Sequence, residues 1–197
     1  GYNPARMNPP AVSQLPAGDS AKAEKVCTEA LTRDPENVQL LSTYAAVLIE
    51  QERRQESRTV AEKLAVMETD DPDELYKVAT VCCENELHEK AFEKFVQLEK
   101  VIPYDGNMLY FKAVSAYKSG RKEAAVDAME KLCTIYPDAA VAEYYLKAMR
   151  RHADDPEREP EPELTYFYRV PQEEREKRCR ALVRLGKYPR TEAELFG

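Results

Sequence analysis

Five cysteines and two histidines are the residues of this sequence with the most chemistry to offer. They stand at Cys27, Cys82, Cys83, Cys133 and Cys179, and at His88 and His152. No two cysteines have Cys-x-x-Cys spacing, and a structural zinc site needs clustered thiolate and imidazole ligands that two dispersed histidines do not complete. The odd cysteine number and the placement of several on apolar helical faces fit reduced thiols used as small hydrophobes. The vicinal pair Cys82 and Cys83 is the one candidate for thiol reactivity. Adjacent helical residues point about 100° apart, however, and a catalytic thiolate needs a neighbouring base that the sequence does not identify. Gly-rich phosphate loops, HExxH and Gly-x-Ser-x-Gly are absent as well. The expectation is therefore a chain that is not an enzyme and takes no metal or cofactor.

Charge and hydropathy narrow the partners. The formal net charge is -7 with a pI near 5.1, which opposes broad binding to nucleic acid or an anionic membrane. Arg169, Arg175, Lys177, Arg178, Arg180, Arg184, Lys187 and Arg190 make the last segment locally basic, but Glu173, Glu174 and Glu176 interrupt it, so it reads as a solvated helix with pairs such as Glu174 to Arg178. No apolar run approaches the roughly 20 residues of a membrane span, and no signal peptide is apparent. A cytoplasmic location is the corresponding expectation.

The elements that position these residues read as helices throughout. Residues 1–17 carry Pro4, Pro9, Pro10 and Pro16 and suit an extended lead-in. A helix over 20–33 follows, capped by Asp19 or Ser20 and closed by Pro35. Next come a pair over 38–53 and 55–68, stopped by Pro72, and a pair over 73–84 and 87–101, whose first helix Asp73 caps. The clearest pair lies in Gly106–Pro137, where two apolar-periodic segments flank a break at Gly120 and Pro137 stands 34 residues after Pro103. A further helix spans 139–152. The second pair is expected to be several residues longer than 34, with the excess in the charged QERRQES turn. An acidic, proline-rich linker occupies 153–163, and a C-terminal segment with one helix after Pro171 occupies 164–197.

A small residue, a large apolar residue, another apolar residue and a Pro recur in the second helices. They are Ala23, Cys27, Ala30 and Pro35; Ala91, Phe95, Leu98 and Pro103; and Ala125, Met129, Leu132 and Pro137. Val60, Leu64, Met67 and Pro72 fit if an insertion is allowed. This pattern over residues 18–152 resembles the tetratricopeptide repeat family. The resemblance implies an all-α solenoid of antiparallel helix pairs, a right-handed superhelix whose first helices line a concave groove. Carried over by position, it implies a partner-binding set of Tyr76, Asn107, Tyr110, Phe111, Tyr117, Lys118, Tyr144, Tyr145 and Arg151. The Lys, Asn and Arg clamp by which some relatives hold acidic C-termini is missing, since Gln39, Thr43, Tyr76 and Tyr110 stand where its donors would be.

Two readings of function follow. In the first, the chain is a non-catalytic scaffold whose tyrosines bury against a peptide or partner helix, with Lys118 and Arg151 steering an acidic partner. In the second, it is a structural or regulatory domain of a larger enzyme or chaperone, and its own C-terminal segment fills the groove. Homo-oligomerisation stays open in both.

Overall fold

The computed structural model describes residues 17–158. Among them are eight α-helices: α1 (Ala17–Arg33), α2 (Val38–Glu50), α3 (Arg54–Ala65), α4 (Pro72–Glu84), α5 (His88–Glu99), α6 (Gly106–Lys118), α7 (Lys122–Ile135) and α8 (Ala140–Asp154). They form an all-α helical repeat. The expected lead-in over 1–17 falls almost wholly outside the described residues, as do the helix after Pro171 and Cys179. The described residues divide into two units, one running to Lys94 and one starting at Phe95, with the division inside α5.

The repeat is more regular than the sequence pattern suggests. First helices begin at Val38, Pro72, Gly106 and Ala140, and second helices at Arg54, His88 and Lys122, each 34 residues after the one before. Their ends repeat too. Arg53, Leu87 and Arg121 donate backbone N–H groups to Leu48, Cys82 and Ala116 carbonyls at 2.8, 2.9 and 2.8 Å, the six-to-one bond of a Schellman cap. The residue before each donor is left-handed, with φ of 60° at Glu52, 62° at Glu86 and 82° at Gly120. Only Gly120 adopts that geometry without steric cost.

Three sequence expectations are corrected by this grid. The second pair contains no insertion, because Gln51–Arg53 is a three-residue turn like Asn85–Leu87 and Ser119–Arg121. Its packing residues are Ser57, Ala61 and Leu64, all buried, while Val60 and Met67 are half-buried. Pro72 does not stop α3. It opens α4 at a position where a missing N–H costs nothing, and Asp71, rather than Asp73, caps that helix by accepting from the Asp73 and Glu74 amides at 2.8 and 3.1 Å. Asn37 and Asp105 occupy the same cap position, accepting from Leu40 and Met108. Finally, α1 starts by Ala17, so Asp19 and Ser20 lie inside it.

In the unit ending at Lys94, α2 packs against α1, α3 and α4, and α3 also meets α4. Leu41, Ala45, Leu48, Ala61, Leu64, Leu75, Val78 and Cys82 make its core. A buried polar bridge crosses it: Ser57 Oγ donates to the Ala45 carbonyl at 2.8 Å, and Asn85 Nδ2 donates to Ser57 Oγ at 3.1 Å and to the Val81 carbonyl at 3.0 Å. Each buried polar atom in the bridge is thereby paired, which avoids the desolvation penalty of burying it alone. At the α2–α3 turn Arg53 pairs with Glu24 of α1 and with Glu56.

In the unit from Phe95, α7 packs against both α6 and α8. Helix α6 is enclosed almost all round, with only Lys112 and Lys118 less than fully buried. Gly106 opens it because a Cβ there would lie 2.8 Å from Tyr136 Cε2. Any side chain at this position displaces the Tyr136 ring.

Candidate functional site

The aromatic side chains of the unit from Phe95 form one connected array. Phe95 stacks on Phe111 with ring centroids 6.2 Å apart and planes 11° from parallel. Tyr110 meets Phe111 edge-on at 6.1 Å and Tyr145 edge-on at 6.0 Å, and Tyr145 meets Tyr144 at 5.4 Å. These distances and near-perpendicular angles are those at which the ring quadrupoles attract. Tyr117 packs against His152 at 5.1 Å. Thus α6 and α8 touch through tyrosines.

The array brings Tyr110, Phe111, Tyr144 and Tyr145 together, with Tyr117, Asn107 and Lys118 on the same helix α6 and Arg151 on α8. Tyr76 lies on α4, in the other unit, and is buried. The open surface is much narrower than the implied groove. Tyr110 and Phe111 are wholly buried, and Asn107, Tyr117 and Tyr145 nearly so, because α6 is apolar on every side and is enclosed along its length. Tyr144 is 45% exposed, Arg151 is exposed and Lys118 is half-buried. An exposed aromatic edge with two cations beside it is what remains.

Electrostatics at the α8 end follow from burial. Loss of water lowers the His152 pKa, helped by the Lys122 ammonium and opposed by Asp155 and a hydrogen bond to the Arg158 backbone. Lys122 Nζ also donates to the Pro156 carbonyl at 3.4 Å, which holds the chain leaving α8 against the start of α7.

Covalent chemistry finds no foothold here. Burial pushes the Cys82 thiol up to about 12, so it carries no thiolate near neutral pH, and Cys83 beside it is buried. Among the described residues no three His, Cys, Asp or Glu side chains gather as a metal site would require. No helix among them is long and apolar enough to cross a membrane.

The Ser57–Asn85 bridge and the Gly106–Tyr136 contact escaped the sequence reading. The first was hidden by the false insertion, since Ser57 falls into the small-residue position only on the 34-residue grid. Nothing in the sequence signals the second.

Comparison with known proteins agrees with the helical grid. Residues 15–79 match the tetratricopeptide repeat family model. These are tetratricopeptide repeats. Two solved structures share the fold. One is titled "MamA RS-1 ArsTM double mutant", with a TM-score of 0.58 and 16% identity over 86% of this chain and 88% of that one. The other is a tetratricopeptide repeat protein from Parabacteroides merdae ATCC 43184, with a TM-score of 0.53 and 18% identity over 91% of this chain and 66% of that one. At such identities the likeness concerns the fold alone. No curated protein matches the chain. A tetratricopeptide repeat fold supports a protein–protein interaction or scaffolding role in general terms.

Proposed function

We propose that the unit from Phe95 recognises a protein segment at the edge formed by Tyr144, Tyr145, Lys118 and Arg151. The observation that carries this reading is the 45% exposure of Tyr144 on a helix whose other exposed residues are charged. A tyrosine supplies a large apolar contact and a hydroxyl at low cost in side-chain entropy, which is why it anchors many interfaces. Its support is preorganised, since Tyr145 and Tyr110 hold the ring from below through edge contacts. Lys118 and Arg151 favour an acidic approach, so the matching segment carries one or more aromatic or aliphatic anchors beside carboxylates. Asn107, Tyr110, Phe111 and Tyr117 then act by shaping the edge from inside, and Tyr76 has no part in this unit's contact.

Selection of a random peptide library on the full chain tests the reading. Enrichment of peptides that pair an aromatic residue with Asp or Glu, and that bind more weakly when Arg151→Glu is introduced, is the expected result. If selected peptides carry no such composition and bind the Arg151→Glu chain unchanged, the reading is wrong.

A further inference from the structure

The last described helix differs from its predecessors on the side where a second helix should pack. Counting from the first residue of each first helix, positions 4, 8 and 11 are Leu41, Ala45 and Leu48 in α2, Leu75, Ala79 and Cys82 in α4, and Leu109, Ala113 and Ala116 in α6, all buried. In α8 they are Glu143, Lys147 and Arg150, all exposed. Lys147 pairs with Glu143 at 3.5 Å, and Arg150 reaches Glu130 at 3.3 Å. A charged, solvated face of this kind ends a solenoid rather than extending it. Apolar residues that follow α8 in sequence therefore have no packing site at the end of the stack.

The aromatic edge lies within their reach. The chain leaves α8 pinned by the Lys122 contact to Pro156 and by the Arg158 hydrogen bond to His152, at the end of α8 where His152 meets Tyr117. Eight residues later stand Tyr166, Phe167 and Tyr168, after Glu159, Glu161 and Glu163. Eight extended residues span up to about 28 Å, whereas the eight helical residues from His152 back to Tyr144 span about 12 Å. Alternating prolines at 160 and 162 favour an extended course for the first part of that path. The order of charges fits as well. Three carboxylates would pass Arg151 and Lys118 before the aromatic triplet arrives at Tyr144.

We infer that residues 159–170 of the chain itself, which lie outside the described residues, occupy the Tyr144 edge and compete with a partner for it. This rests on the binding role proposed above and adds its regulation. The segment has the acidic and aromatic chemistry assigned to the partner, and its tether sets an effective concentration of about a millimolar. A partner must displace it, so the scaffold binds weakly until something else draws the segment away.

The probe is a labelled synthetic peptide of residues 159–170, EPEPELTYFYRV, added to the full chain and to a full chain carrying Tyr166→Ser, Phe167→Ser and Tyr168→Ser. About tenfold tighter binding to the substituted chain is expected, together with loss of that binding when Tyr144→Ala is added. A benzoylphenylalanine photocrosslinker at position 144 of the otherwise native chain should couple within residues 159–170 of the same molecule. Equal binding of the peptide to both chains, no binding to the substituted one, or crosslinks only elsewhere overturns self-occupancy. Library-selected peptides distinguish this failure from failure of the binding role: their continued dependence on Arg151 leaves the binding role standing, and its absence removes both.

Discussion

Helices α6 and α8 occupy equivalent places in successive repeats, yet the same positions meet opposite environments. The fifth position holds Tyr110 in α6, wholly buried, and Tyr144 in α8, 45% exposed. At the fourth, eighth and eleventh, Leu109, Ala113 and Ala116 are buried, whereas Glu143, Lys147 and Arg150 face solvent. A repeat position therefore specifies direction, and the neighbour present in that direction decides whether the side chain serves the core or a surface. In α6 the tyrosine is a packing residue. In α8 the same residue type becomes the proposed contact.

The comparison breaks first at Phe111. Phe111→Ala removes a buried ring stacked on Phe95 and should destabilise the unit by about 3–5 kcal/mol, whereas Tyr144→Ala should cost about 1 kcal/mol or less. Denaturant midpoints at unchanged slope measure both, and similar losses would erase the distinction between the two helices. Next, giving α8 the α6 residues through Glu143→Leu, Lys147→Ala and Arg150→Ala removes the charged end face. Self-association in the micromolar range should appear by sedimentation, while a chain as monomeric as its parent would show that those charges do not terminate the stack.

Smaller effects sharpen it. Asp105 accepts from the Met108 amide at 2.8 Å, whereas Ala139, in the equivalent place before α8, makes no side-chain cap. Asp105→Ala should therefore cost about 1 kcal/mol, and Ala139→Gly little by way of capping, in the same denaturation assay. The least effect is expected from His152. Its pKa is lowered in the fold, so the unfolded chain binds the proton more readily, and the stability held above its ordinary value near 6.5 is lost as pH falls below that value. Amide exchange at the end of α8 should quicken on acidification and should lose this dependence in His152→Gln. An exchange rate insensitive to the substitution would remove His152 from the account.

Much of the fold was legible because helical periodicity and the Pro103–Pro137 spacing are strong local signals. Gly120 announced its turn, but Glu52 and Glu86 adopt the same left-handed backbone with no glycine to mark it. The register of the second repeat was lost at one residue. Thr69 stands where the others have Pro35, Pro103 and Pro137, and Pro72 three residues on took its place in the pattern. On the 34-residue grid Pro72 opens a helix, and the supposed insertion disappears. The site was less legible for a different reason. Tyrosine suits a core and an interface equally, so sequence placed Tyr110 and Tyr144 on one face without saying which would remain open. The charged residues at Glu143, Lys147 and Arg150 carried that information, because they mark where packing stops.

The most direct test of the Tyr144 edge is the Kd of a library-selected peptide for the native chain and for Tyr144→Ala, each measured beside its denaturation midpoint. The account predicts a loss of about tenfold or more with a midpoint shift no greater than that of an ordinary surface substitution. An unchanged Kd, or a loss that appears only with a collapsed midpoint, would contradict it.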